Sequence, residues 1–142
     1  MYKRQIYILS FLGIIIENSL PLSGVVLVVT LPFFTYLVNL KRIRSVTCIF
    51  LMALILSLQT NDFAEQFVMM AAVYYLFNFI FINMVYNKEN IVFISLLQIG
   101  VYFVINYKNC TKFYLILNLI GFLIINYFYV KHMKKRNIRG QK

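Results

Sequence analysis

The chain has 142 residues, of which 62% are hydrophobic and only 13% charged, and its formal charge is +10. Soluble domains lie nearer about 45–50% apolar and ~25% charged, so composition excludes an ordinary soluble domain and points to an all-α integral membrane protein. The basic residues flank apolar runs instead of lining a groove. That argues against nucleic acid as a partner and for the lipid bilayer, with orientation set by the positive-inside rule.

Residues 1–5, Met1-Tyr2-Lys3-Arg4-Gln5, stand apart from the apolar run that begins at Ile6. The codons GTG-TAT-AAG-AGA-CAG, read with GTG as start, encode this pentapeptide, and the same string ends a widely used transposase sequencing adapter. The expectation is that residues 1–5 derive from an adapter at an assembly edge, or form a short leader, and lie outside the fold.

From Ile6 to Leu40 the only charged residue is Glu17. One helix of that length would measure about 52 Å, against a hydrocarbon core of ~30 Å, so the run has to turn. Its polar break is Glu17-Asn18-Ser19-Leu20-Pro21. Pro21 donates no backbone hydrogen bond and pushes the residue before it away from helix. The pattern therefore predicts a membrane hairpin, with spans over 6–20 and 22–40. Pro32 falls inside the second span and is expected to kink it, with Thr30 and neighbouring helices satisfying the freed carbonyl.

Lys41, Arg42 and Arg44 form a basic stop before a short third span over 45–60, and Asp62 and Glu65 mark an acidic loop. Further spans are predicted over 67–86, 91–107 and 113–130, separated by Asn87–Asn90 and Lys108–Lys112. The membrane domain is thus 6–130, a compact bundle of six transmembrane helices with short loops, followed by a basic tail over 131–142. Tyr36, Tyr86, Tyr107, Tyr114, Tyr127 and Tyr129 fall near span ends, where an interfacial aromatic belt would place them.

Lys and Arg fix the orientation. The Lys41 loop, the Lys88 loop and the tail (with Lys131, Lys134, Lys135 and Arg136) carry ten, while the opposite side carries only Lys108 and Lys112. The first group is expected in the cytoplasm, with both termini on that side.

The search for chemistry finds little. Cys48 and Cys110 are far apart without metal-ligand spacing, and His132 has no acid or second His nearby in sequence. No phosphate loop, catalytic triad or pair of deep carboxylates is present, so the chain reads as neither an enzyme nor a cofactor or metal protein. Glu17 is the one ionisable side chain inside a span. An acid costs roughly 2.5–3.5 kcal/mol at mid-membrane, which makes it a candidate by default. Beside Pro21 it is expected near the outer interface, either assisting the turn or making a helix-packing or partner contact together with Asn18 and Pro21. Gln98 and Asn118 are the most central polar residues of the later spans. Interhelical hydrogen bonds of their kind average ~0.6 kcal/mol, and the expected role is bundle register. Gly13, Gly24, Gly100 and Gly121 are too scattered for a close-packing motif.

The order of these features resembles the bacterial rod-shape-determining MreD family. The matching pieces are Glu17-Asn18-Ser19-Leu20-Pro21 at the end of the first span, the basic break from Lys41 to Arg44, the polar Gln59-Thr60-Asn61-Asp62 and the close from Asn118 to Arg136. The likeness is one of layout and carries no diagnostic motif. It departs in the third span, where many members are Gly-rich and Ser45 to Leu58 contains no Gly. The resemblance implies a non-catalytic part of the cell-elongation complex in the bacterial cytoplasmic membrane. Implied partners are an MreC-like protein and, through it, a RodA-type glycosyltransferase, a class B penicillin-binding transpeptidase and MreB. Two other readings stand beside it: a substrate-binding subunit of an energy-coupling-factor vitamin transporter, using Glu17, Asn18 and Asp62, and a truncated polysaccharide polymerase or flippase.

Overall fold

The structure is a computed structural model that describes residues 2–20, 25–40, 46–47, 49–52, 54, 63–107 and 110–139. Five helices make up most of it: α1 (Tyr2–Ser19), α2 (Thr30–Asn39), α3 (Phe63–Asn83), α4 (Ile91–Ile105) and α5 (Lys112–Arg139). Residues 46–47, 49–52 and 54 are helical too, and no strand occurs among the described residues. Pro21, Lys41, Arg42, Arg44 and Asp62 lie outside the described residues. Of Lys134, Lys135 and Arg136 only the helical backbone is described.

The shortest helix is at the centre. Every residue of α2 from Thr30 to Val38 is buried, with α1, α3 and α5 packed around it, while α4 packs chiefly along α5. Aromatic side chains fill the contacts. Phe33 meets Tyr7 and Phe11 of α1 edge-on at 6.0 and 5.5 Å, and Phe34 faces Tyr74 and Phe77 of α3. Tyr36 stacks on Tyr129 of α5 at 4.9 Å.

Among the described residues two helices are long and apolar enough to cross a membrane: Phe63–Asn83 with 21 residues and Lys112–Met133 with 22. At 1.5 Å per residue these measure about 32 and 33 Å. Their outward faces are strongly apolar. Phe79 and Ile82 on α3 and Phe113 and Ile124 on α5 all stand largely exposed.

The structure departs from the sequence reading in several places: residues 2–5, expected outside the fold, open α1, and α5 continues to Arg139 through the stretch expected to be a tail. In the described part of the span predicted over 22–40 the helix starts at Thr30, and residues 25–29 are non-helical. Pro32 therefore lies in the first turn of α2 and not in the middle of a helix, where its missing N–H coincides with a position that has no intrahelical partner anyway. The aromatic belt is also only partial. Tyr107 and Tyr127 are exposed, but Tyr36, Tyr86, Tyr114 and Tyr129 are buried. Two of the buried phenols meet polar partners that offset burial: Tyr86 donates to Asn126 Oδ1 at 2.8 Å, and Tyr129 shares a 2.6 Å hydrogen bond with Ser10.

Candidate functional site

Residues 25–29 create the central problem of the fold. They run Val25-Val26-Leu27-Val28-Val29, and a non-helical backbone in so apolar a setting must find hydrogen-bond partners elsewhere. Three helices supply them. Glu17 of α1, only 8% exposed, lies under the start of α2. Its Oε1 accepts from the Val29 N–H at 2.9 Å, and its Oε2 accepts from the Thr30 N–H at 3.2 Å and the Thr30 hydroxyl at 2.6 Å. Asn118 of α5 accepts from the Leu27 N–H at 2.8 Å and anchors itself by donating to Tyr114 O at 2.7 Å. Tyr102 of α4 donates its hydroxyl to Val25 O at 2.7 Å.

The N-terminus of α2 is thereby fully accounted for. Val29 and Thr30 are bonded to Glu17, Leu31 N–H reaches Leu27 O at 3.2 Å, Pro32 has no N–H, and Phe33 N–H reaches Val29 O at 3.0 Å. A negative side chain at a helix N-terminus also lies favourably against the helix dipole. Glu17 is thus a capping residue supplied by another helix, and its side chain faces the interior of the fold.

The valines of this segment are seated on glycines. A Cβ at Gly121 of α5 would overlap Val28 Cγ1 and stand 2.7 Å from Cγ2, and one at Gly13 of α1 would stand 3.1 Å from Val29 Cγ1. These glycines form no motif along the chain. They are placed opposite two adjacent residues of a third segment, so spacing could not pair them.

A second polar cluster joins α2, α4 and α5. Gln98 and Asn126 face each other: Asn126 Nδ2 donates to Gln98 Oε1 at 2.6 Å, and Gln98 Nε2 lies 3.3 Å from Asn126 Oδ1. Gln98 Nε2 also donates to Thr35 Oγ1 at 2.7 Å, and the Thr35 hydroxyl donates in turn to Leu31 O at 2.8 Å. Asn126 Nδ2 reaches Ser95 Oγ at 3.1 Å, and Tyr86 completes the set. All five side chains from Thr35 to Asn126 are buried. Such a network gives a bundle one register, because slippage leaves several buried polar groups unmatched at once.

The residues singled out by sequence therefore divide. Glu17 and Asn118 meet on the 25–30 segment, and Gln98 belongs to the second cluster. Asn18, half-buried, donates to Ile14 O within its own helix at 3.0 Å and joins neither. Lys131 is exposed on α5. Sequence reasoning missed Tyr102, Thr35, Ser95 and the hub role of Asn126. It also passed over Pro32 followed back to Thr30 and a run of valines, which is a usable sign of a helix start. Among the described residues no group of three or more His, Cys, Asp or Glu converges on a common point, and Cys110 is a half-buried free thiol.

A groove of about 150 Å³ runs between α1 and α5, lined by Ile6, Leu9, Ser10, Gly13, Val29, Ile125, Phe128 and Tyr129. It is almost wholly apolar. No family model, curated protein or solved structure matches the chain.

Proposed function

We propose that the chain is a non-catalytic scaffold of the bacterial cytoplasmic membrane, a six-span MreD-like component of the cell-elongation complex with both termini in the cytoplasm. One observation carries the reading: the deep polar side chains are engaged in holding the chain together. Glu17 uses both carboxylate oxygens on the start of α2, Asn118 and Tyr102 are bonded to the segment before it, and Gln98 and Asn126 are bonded to each other. A vitamin-binding subunit would want such groups turned toward a ligand cavity, and Glu17 is one of its three candidates with Asn18 and Asp62. A rigid apolar body with outward Phe, Ile and Val side chains acts instead through its helix surfaces, by van der Waals fit to partner helices.

The orientation rests on ten Lys and Arg against two. In this arrangement the chain docks an MreC-like protein and, through it, a RodA-type glycosyltransferase, a class B transpeptidase and MreB. Depleting the intact protein from its rod-shaped host should give wide or round cells with dispersed wall insertion, and a membrane pull-down should recover the MreC-like partner. Normal rods after depletion, together with loss of vitamin uptake or of a surface polysaccharide, would overturn the reading in favour of one of the alternatives.

A further inference from the structure

We propose that the outward face of α4 is the contact between two copies of this chain in the membrane, with the paired helices crossing at Gly100. The described helical glycines are not alike. The spaces at Gly13 and Gly121 are taken by Val29 and Val28, whereas a Cβ at Gly100 would meet nothing from the rest of the described chain within 4 Å. A glycine inside a helix is unfavourable relative to alanine, and no other part of the described chain uses the gap it leaves. In a membrane such a gap lets a second helix backbone approach closely.

The rest of the face fits that role. Phe93, Leu96, Gly100 and Phe103 recur at three, four and three residues, the seam spacing of paired helices, and Tyr107 continues the row just past the end of α4. All are exposed, while Gln98 and Ile94 on the opposite side of the helix are buried. α4 packs chiefly along α5, which leaves this side open. α4 is also short. Its 15 residues measure about 22 Å against a hydrocarbon core of ~30 Å, and oligomerising is one way a short helix relieves that mismatch.

A second copy is the occupant because symmetry supplies what the chain lacks. Ten Lys and Arg against two turn every copy the same way up, so a two-fold axis runs along the membrane normal. The two α4 helices are then parallel, and each residue of the row meets its own counterpart. Gly100 faces Gly100, and Leu96 and Phe103 close over the crossing on either side. No second glycine is needed at a fixed spacing in the sequence. The contact rests on that orientation and on no elongation partner.

The test reconstitutes the full chain, singly labelled through a C-terminal tag, into liposomes at high lipid dilution and counts subunits by single-molecule photobleaching. The expected result is a majority of two-step traces. Gly100→Leu should weaken dimerisation by about tenfold or more, yet leave the thermal stability of the detergent-solubilised monomer unchanged or raised, since leucine is the better helix former. Position is read with single cysteines in a Cys48→Ser, Cys110→Ser chain treated with an added oxidant. Leu96→Cys and Phe103→Cys should each give disulfide-linked dimers, and Ile82→Cys on α3 and Ile124→Cys on α5 should not. One-step traces throughout would overturn the proposal, as would dimers that survive Gly100→Leu or a monomer destabilised by it. Cross-links that form only between a Leu96→Cys chain and a Phe103→Cys chain would mean antiparallel copies, and would overturn the orientation together with the proposal. Cell shape after depletion is unaffected by any of these results, so the scaffold reading stands or falls separately.

Discussion

The helices α2 and α3 are both apolar, yet they solve opposite problems. α3 is 21 residues long with most of its surface turned outward, and its own helical hydrogen bonds satisfy nearly all of its backbone. α2 has ten residues, is buried from Thr30 to Val38 and is preceded by five residues outside any helix. Those residues depend on Glu17, Tyr102 and Asn118 from three other helices. In so apolar a chain, hydropathy does not distinguish the two. The difference lies in who satisfies the backbone.

The largest effect should come from removing the acid. Glu17→Leu leaves the Val29 and Thr30 N–H groups buried without an acceptor, at about 1–3 kcal/mol for each group. Thermal unfolding of the full chain in detergent, followed by fluorescence-detected size exclusion, should show a large loss of stability. Glu17→Gln keeps one acceptor oxygen, and Thr30 can rotate to accept from the new amide, so about half the loss is expected. Equal stability of wild type and Glu17→Leu would mean that the α2 start does not rely on α1.

A middle effect is expected where the segment meets glycine. Gly121→Ala gains up to about 1 kcal/mol of helix propensity but forces Val28 aside, and overpacking of this kind costs about 1–3 kcal/mol. The overlap should win, giving a net loss. Adding Val28→Ala should then restore stability beyond additivity. Strictly additive effects would show that residues 28 and 121 are not in contact.

The smallest effects separate the polar cluster from the outer face of α3. Gln98→Leu should cost about 0.6 kcal/mol and at most ~1.7 kcal/mol, the range for interhelical hydrogen bonds in membranes. Ile82→Ala, on a residue 71% exposed, should stay within about 0.5 kcal/mol. A larger cost at Ile82 than at Gln98 would reverse the comparison.

This contrast also explains what could be read from residues alone. Long apolar runs bounded by polar loops report helices directly, so α3 and α4 fall close to the stretches predicted over 67–86 and 91–107, and α5 starts where 113–130 predicts but continues to Arg139. Gln98 and Asn118 stood out because amides are conspicuous among Leu, Ile and Phe. The break at 25–29 did not stand out, since its residues are as hydrophobic as a helix interior and carry no turn signal. Its only local marks are a β-branched run, mildly unfavourable to helix, and Pro32 two residues after Thr30. The pairing of Val28 with Gly121 is tertiary, as is that of Leu27 with Asn118 across 91 residues. No window along the chain contains either.

That separation of 91 residues sets an order of assembly. Chains emerge at roughly 5–20 residues per second, so the Leu27 peptide waits roughly 5–18 s after its own synthesis before Asn118 exists to receive it. Tyr102 arrives earlier, and Glu17 is present from the start. The first helix can therefore cap α2 at once, while the segment between them stays incomplete until the last helix enters. Until then the Leu27 N–H lacks its Asn118 acceptor, and final closure of the bundle waits for α5.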